Sequence, residues 1–165
     1  MIIRPQELAT DDSLVIETVK HAINSIEETT KRKFDYVVLL QPTTPFRIAE
    51  DIDNALEKMI FQNGDSVVSL VEVTKYHPAR MKEIKNDRIV DIYNQSLDFT
   101  PRQFLPKVYI KNGAVYGARR EVIFEKNSFR GDNCLAYVMP EKRSINIDTE
   151  LDFKLAELLM QNIEK

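Results

Sequence analysis

The stretch FDYVVLLQPTTPFR, Phe34 to Arg47, is the feature that most limits what this chain can fold into. Val37-Val38-Leu39-Leu40 is a continuous apolar run without alternation, the pattern of a short strand buried on both faces. It stops at Gln41, and two prolines, two threonines and an arginine follow within six positions. Beyond them Ile48, Ile52, Ala55, Leu56, Met59 and Ile60 recur at helical spacing over residues 48–61, and Asn63-Gly64 supplies a stop. A buried strand that feeds a helix through a stiff polar turn predicts a βα unit in a sheet covered on both sides.

The alternation continues along the chain. Residues 12–29 predict an earlier helix, with Leu14, Val15, Val19, Ala22, Ile23 and Ile26 on one face and Asp11 or Asp12 as its N-cap. Asp65–Val73 is a second β-rich run. Residues 108–118 predict a strand around Asn112-Gly113, 119–125 a short helix, and 135–139 a further strand. Thr149 followed by Asp152 is the capping signature of a last helix, whose buried face is expected from Leu151, Leu155, Leu158 and Leu159. Strands separated by helical crossovers predict an α/β fold with a parallel or mostly parallel sheet, in a single domain over residues 1–165. Residues 75–106 depart from this pattern. They hold Pro78, Pro101, Pro106, many charges and short apolar pieces, and they read as an inserted hairpin or arm.

Composition narrows the function classes. The 165 residues are 43% hydrophobic and 30% charged, as in globular proteins. No apolar run approaches the roughly 20 residues that span a bilayer. MIIRPQELATDD has no apolar core and turns acidic early, so neither a leader peptide nor a membrane partner is expected, and a cytoplasmic location is. Cys134 is the single cysteine, which excludes an intrachain disulfide and cysteine-rich metal sites. With two histidines, a three-histidine zinc site is excluded as well. A net charge of −3 gives no general attraction to nucleic acid. The phosphate-loop, dinucleotide, zinc-protease and serine-elbow motifs do not occur.

Four clusters carry groups suited to chemistry. Gln41 to Arg47 lies past the carboxyl end of a strand and at the start of a helix, where open α/β sheets bind ligands. Gln41 both donates and accepts, Thr43 adds a hydroxyl, and Arg47 suits a phosphate or carboxylate; the alternative is a stiff turn with a capping threonine and a surface arginine. KNGAVY is either a hairpin turn at Asn112-Gly113 or a close backbone approach with Asn112 and Tyr116 lining a site. In RSINIDTELD, Asp148 suits Mg²⁺ beside a phosphate, or else the positive end of the last helix. In RPQELATDDS, Arg4 precedes an acidic loop and suits an ion pair. In the arm, His77 alone reads as a packed or exposed histidine rather than a ligand.

Taken together, RPQELATDDS, DYVVLLQPTTPFR, KNGAVY and SINIDTELDF follow the order and spacing of the acylneuraminate cytidylyltransferases, the CMP-sialic acid synthetases, and the resemblance covers residues 2–160. It implies a Rossmann-like three-layer sandwich of the nucleotide-diphospho-sugar transferase type, with residues 75–106 as a dimerisation arm. It also implies that CTP and a nonulosonic acid are joined with Mg²⁺, the anomeric hydroxyl attacking the α-phosphate and pyrophosphate leaving. Matched by position, Gln41 is similar to the sugar-recognising glutamine, and Asn112 and Tyr116 to the wall of the sugar pocket. Arg4 matches an arginine near the nucleotide. Arg102 and Gln103 match the arm's P-R-Q, with Arg102 on a carboxylate or phosphate, and Asp148 matches the second aspartate of a D-I-D metal pair.

Two departures qualify the resemblance. The first position of the metal pair is Asn146, which keeps a carbonyl oxygen and loses a charge, so weaker Mg²⁺ binding is expected. The family's N-terminal CTP-binding segment has no counterpart here. Its absence predicts an unpaired strand edge and an uncovered apolar surface, hence a homodimer or higher oligomer. It also leaves an alternative function, a catalytically inactive homologue serving as a sugar-acid-binding or dimerising module. The identity of the acid (sialic, pseudaminic or legionaminic, less so an octulosonic acid) stays open.

Overall fold

The computed structural model describes residues 2–10, 12–93 and 97–163. The elements are α1 (Val15–Thr30), β1 (Tyr36–Leu39), α2 (Ala49–Phe61), β2 (Ser66–Glu72), β3 (Lys82–Lys85), β4 (Arg88–Asp91), β5 (Tyr109–Arg119), α3 (Arg120–Lys126), β6 (Cys134–Val138) and α4 (Glu150–Ile163). The main sheet has the order β1-β5-β2-β6. β2 and β6 pair parallel, and β5 runs antiparallel to both of its neighbours, so β1, β2 and β6 share one direction. The sheet is therefore mixed rather than parallel throughout. A strand reached through the long 75–106 excursion has no short helical crossover to fix its direction.

Two apolar cores sandwich the sheet into three layers. α2 sets Ala55 and Met59 against Val67, Ala114, Val115 and Met139 on one face. α1 and α3 set Ile23, Val122 and Ile123 against Ala118 on the other. Glu27 of α1 accepts two hydrogen bonds from Arg120 of α3, at 2.7 and 2.8 Å, and joins the two helices. This pairing, led by the arginine's hydrogen bonds, holds the Glu27 carboxyl below its ordinary range.

Local signals set most helix ends. Asn63 takes a left-handed φ of 51° after α2. Its N–H donates to Ile60 and that of Gly64 to Met59, the paired bonds of a Schellman stop. At α4, the Asp152 N–H donates to Thr149 Oγ1 and the Thr149 N–H to Asp152 Oδ2, closing the expected capping box. α1 differs from expectation. It begins at Val15, and the residue before it, Leu14, supplies no side-chain cap. Asp11 lies outside the described residues, and the entry turn is held instead by Thr10 and Ser13.

Two burial expectations are corrected. β1 is half-exposed along its length, with Phe34 and Tyr36 open, because among the described residues it is an edge strand hydrogen-bonded only to β5. α4 buries Ala156, while Leu151 is 76% exposed and Leu155 and Leu158 are open as well. Of the expected stripe, only Leu159 is half-buried. Within the 75–106 segment a hairpin lies at Lys82–Asp91. β3 and β4 make a separate two-stranded sheet around Asn86-Asp87, both at positive φ, the geometry of a tight hairpin turn. Ile84 and Ile89, each 74% exposed, pair on it and face away from the body.

Candidate functional site

Three segments converge at the carboxyl end of β1. The first is the turn at 41–47. Thr44 is fully buried, and its hydroxyl donates to the carbonyl of Asn112 at 3.0 Å. One guanidinium nitrogen of Arg47 donates to the carbonyls of Gln41 (2.7 Å) and Thr44 (2.9 Å), and to that of Ala114 at 3.4 Å. Arg47 thus laces the turn to β5 and holds its shape.

The second segment is a large bulge in β5. Val68 pairs with Tyr116 and Leu70 with Lys111, so the four residues 112–115 lie opposite Ser69 alone. The buried Ser69 hydroxyl organises the excursion: it donates to Asn112 Oδ1 at 2.6 Å and accepts from the Val115 N–H at 2.7 Å. The Asn112 amide is consumed inside the protein, since Nδ2 donates to Ser144 Oγ at 2.9 Å and Oδ1 also accepts from the Ala114 N–H. Asn112-Gly113 is therefore a bulge within one continuous strand, and the hairpin-turn alternative falls. Gly113 sits at φ +78°. A Cβ there would lie 2.6 Å from Gln41 Oε1 and 2.9 Å from Thr44 Oγ1, so glycine lets the strand touch the turn.

The third segment, 144–148, is drawn in by backbone and side chain together. The Ile147 N–H donates to the Thr43 carbonyl at 2.9 Å. Asn146 Oδ1 lies 3.5 Å from the Thr44 hydroxyl, and its Nδ2 donates to Asp148 Oδ2 at 2.6 Å. The anchor is an ion pair whose carboxylate is buried and whose guanidinium is one-third exposed. Arg143 donates from Nε and Nη2 to the two carboxylate oxygens of Asp51 at 2.9 and 2.8 Å. Asp51 also accepts from the Ile48 N–H and the Tyr137 hydroxyl. One carboxylate thus caps α2 and fixes the segment that carries Asn146 and Asp148. Periodicity had no means of pairing residues so far apart in sequence.

Beside this junction is a recess of about 200 Å³ lined by Leu39, Gln41, Tyr116, Phe129 and others from α1 and the loop after α3. Gln41 and Tyr116 meet there. Burial pushes the Tyr116 phenol up, so it stays protonated at neutral pH and can donate or accept. Arg102 and Gln103 lie elsewhere, in a short turn of the arm, where Arg102 lines a separate small cavity with Glu72, His77 and Lys107. The packed reading of His77 fits: it is buried, its Nδ1 accepts from the Ala79 N–H and its Nε2 lies 2.9 Å from the Pro106 carbonyl. Arg4 is exposed and donates to the carbonyl of Leu8, with no carboxylate partner among the described residues. Among the described residues no three or more histidine, cysteine or acidic side chains gather as a metal centre, and no helix is long and apolar enough to cross a membrane.

Comparison with curated proteins finds relatives along most of this chain. It is 33% identical over 161 residues to the CMP-N,N′-diacetyllegionaminic acid synthase of Legionella pneumophila, covering 96% of this chain and 68% of that protein. It is 29% identical over 158 residues to the post-translational flagellin modification protein B of Campylobacter coli, covering 96% of this chain and 66% of that protein. It is 31% identical over 165 residues to the N-acylneuraminate cytidylyltransferase of Escherichia coli, covering 97% of this chain and 37% of that protein. The chain thus spans only part of the length of these relatives. No family model matches.

Proposed function

The chain belongs to the acylneuraminate cytidylyltransferase family, and on that premise we propose that it provides the sugar-acid side of a cytoplasmic enzyme that transfers CMP from CTP to a nonulosonic acid. The observation that carries this reading is the convergence of Gln41, Thr44, Gly113, Asn146 and Asp148 at one strand end, beside a recess that Gln41 and Tyr116 share. In the reaction the anomeric oxygen bonds to the α-phosphorus as its proton passes to water, the bond from that phosphorus to the bridging oxygen breaks, and pyrophosphate carries the electron pair away. Gln41 orients the acid through its amide, Tyr116 and Phe129 exclude water from the ring, and Thr44, Arg47 and Ser69 hold these groups in register. Arg102 and Gln103 reach a substrate only from a partner subunit, which the arm reading supplies, and Arg4 lies on the nucleotide side.

Asp148 would hold Mg²⁺, a hard cation commonly held by one or two carboxylates together with water and phosphate oxygens, and the Asn146 carbonyl oxygen would join it once its amide, whose Nδ2 donates to Asp148, turned over. When bound, Mg²⁺ would neutralise phosphate charge and stabilise the leaving group. Asn146→Asp is expected to tighten Mg²⁺ binding about tenfold, because a second carboxylate replaces a neutral oxygen. Calorimetric titration with Mg²⁺ checks this, and an unchanged affinity counts against the site.

The test of the activity is pyrophosphate release from CTP in the presence of N-acetylneuraminate, N,N′-diacetyllegionaminate or pseudaminate. Turnover with one of them supports the enzyme. Binding of an acid without turnover favours the second reading, an inactive binding or dimerising homologue, to which the exposed stripe of α4 and the open edge of β1 lend support. Either way, those uncovered surfaces favour a dimer or higher oligomer. Light scattering at micromolar concentration is expected to give at least twice the chain mass; a monodisperse monomer refutes the assembly.

A further inference from the structure

We infer that Lys111 and Arg130 form a two-cation clamp for the carboxylate of the substrate acid, an inference that rests on the reading of the site given above. Both side chains line the recess that holds Gln41, Tyr116 and Phe129. Both also line a second recess of about 300 Å³ that continues over Val68, Leu70 and Ala136. Val68, Lys111 and Arg130 are common to the two, so the cations stand where the recesses meet.

The bulge is what brings Lys111 there. Cross-strand partners project from the same face, and residues two apart on one strand do so as well. Val68 and Leu70 therefore put their partners, Tyr116 and Lys111, on a common face. Tyr116 and Lys111 are an odd number of residues apart, so in a regular strand they would point to opposite faces. The excursion held by Ser69 thus turns Lys111 toward the tyrosine.

Both charges are uncompensated. Neither side chain hydrogen-bonds or pairs with a carboxylate among the described residues; the Arg130 bond to Ser128 uses its main-chain N–H. Among the described residues the one acid lining the second recess, Asp132, is paired with Lys126. Two free cations beside an apolar wall raise the local potential for an anion even in a chain of net charge −3. The lining selects the kind of anion. Leu39, Val15, Ile16 and Phe129 offer apolar contact to a carbon ring, Gln41 and Tyr116 address hydroxyl or amide substituents, and the guanidinium fork matches the two oxygens of one carboxylate.

The test is calorimetric titration of the whole chain with N-acetylneuraminate, N,N′-diacetyllegionaminate, the uncharged methyl ester of N-acetylneuraminate, and CTP. The unsubstituted chain is expected to prefer an acid to the ester. Lys111→Met and Arg130→Met are each expected to weaken acid binding by about 10- to 100-fold, leaving ester and CTP binding unchanged, while Lys111→Arg retains the acid. Both residues are exposed, so the variants are expected to melt as the parent does. Acid binding that survives both substitutions overturns the clamp alone. Loss of CTP binding in place of acid binding assigns the cations to the triphosphate and also overturns it. Failure of the unsubstituted chain to bind any acid overturns the reading of the site and the clamp with it.

Discussion

Asp51→Ala is expected to destabilise the chain by about 2–4 kcal/mol, the loss of a helix cap together with charge-assisted hydrogen bonds to a buried carboxylate. Asp51 is 0% exposed and collects four donors: two from Arg143, one from the Ile48 N–H and one from the Tyr137 hydroxyl. The loss therefore removes a helix cap and frees the one-third-exposed Arg143 guanidinium at the same time. The effect has a pH signature. Burial by itself raises the Asp51 carboxyl, but the hydrogen bonds from Arg143 and Ile48 and the charge of Arg143 outweigh it, and the net shift is downward. A lowered carboxyl stabilises the fold above its unfolded value of about 3.9. That contribution is lost as pH falls through the still lower folded value. Urea midpoints between neutral pH and pH 3 should fall on acidification in the parent, and the Asp51→Ala variant should lack the part of that fall due to Asp51. Because Arg143 leads directly into Ser144–Asp148, acid binding should weaken too. A variant with parental midpoints at neutral pH refutes the role given to this pair.

Gly113→Ala is expected to cost about 2–5 kcal/mol through two separate terms. The first is backbone strain, since φ is +78° there. The second is crowding, because the new methyl would sit 2.6 Å from Gln41 Oε1 and 2.9 Å from Thr44 Oγ1. Thr44 cannot retreat: it is fully buried and bonded to Asn112. Gln41 is the freer side chain, so relaxation would push it away from its present place in the recess. The variant should therefore lose affinity for a nonulosonic acid beyond what its unfolded fraction explains. Thermal melts and calorimetry at a temperature where the variant is folded separate the two effects. Parental stability together with parental affinity would mean that the bulge tolerates a side chain and the close approach is incidental.

Much of the local structure was legible from residue order. The stop at Asn63-Gly64, the capping box of Thr149 and Asp152, and the helical spacing over 48–61 all act within one or two turns of chain, where side chain and backbone meet regardless of the rest of the molecule. The motifs around Gln41, Asn112 and Asp148 could be read as candidates for the same reason, since each cluster is contiguous. Less legible was what each residue does with its polar atoms. Asn112 and Arg47, both expected at the ligand, spend hydrogen bonds on the protein's own backbone and side chains. Ser69, which no motif marks, organises the bulge.

Periodicity reports that a face is apolar and leaves open what covers it. The leucines of α4 show this: the stripe is present, yet Leu151, Leu155 and Leu158 stay open and Leu159 is half-buried. The sequence by itself determined most of the elements, the stop of α2, the capping box of α4 and the family, because those depend on neighbours in the chain. Tertiary structure decided the direction of β5, the face on which Lys111 emerges, and the pairing of Asp51 with Arg143. Each of these depends on strand register and on contacts between distant segments, where a shift by one residue reverses which side chains meet.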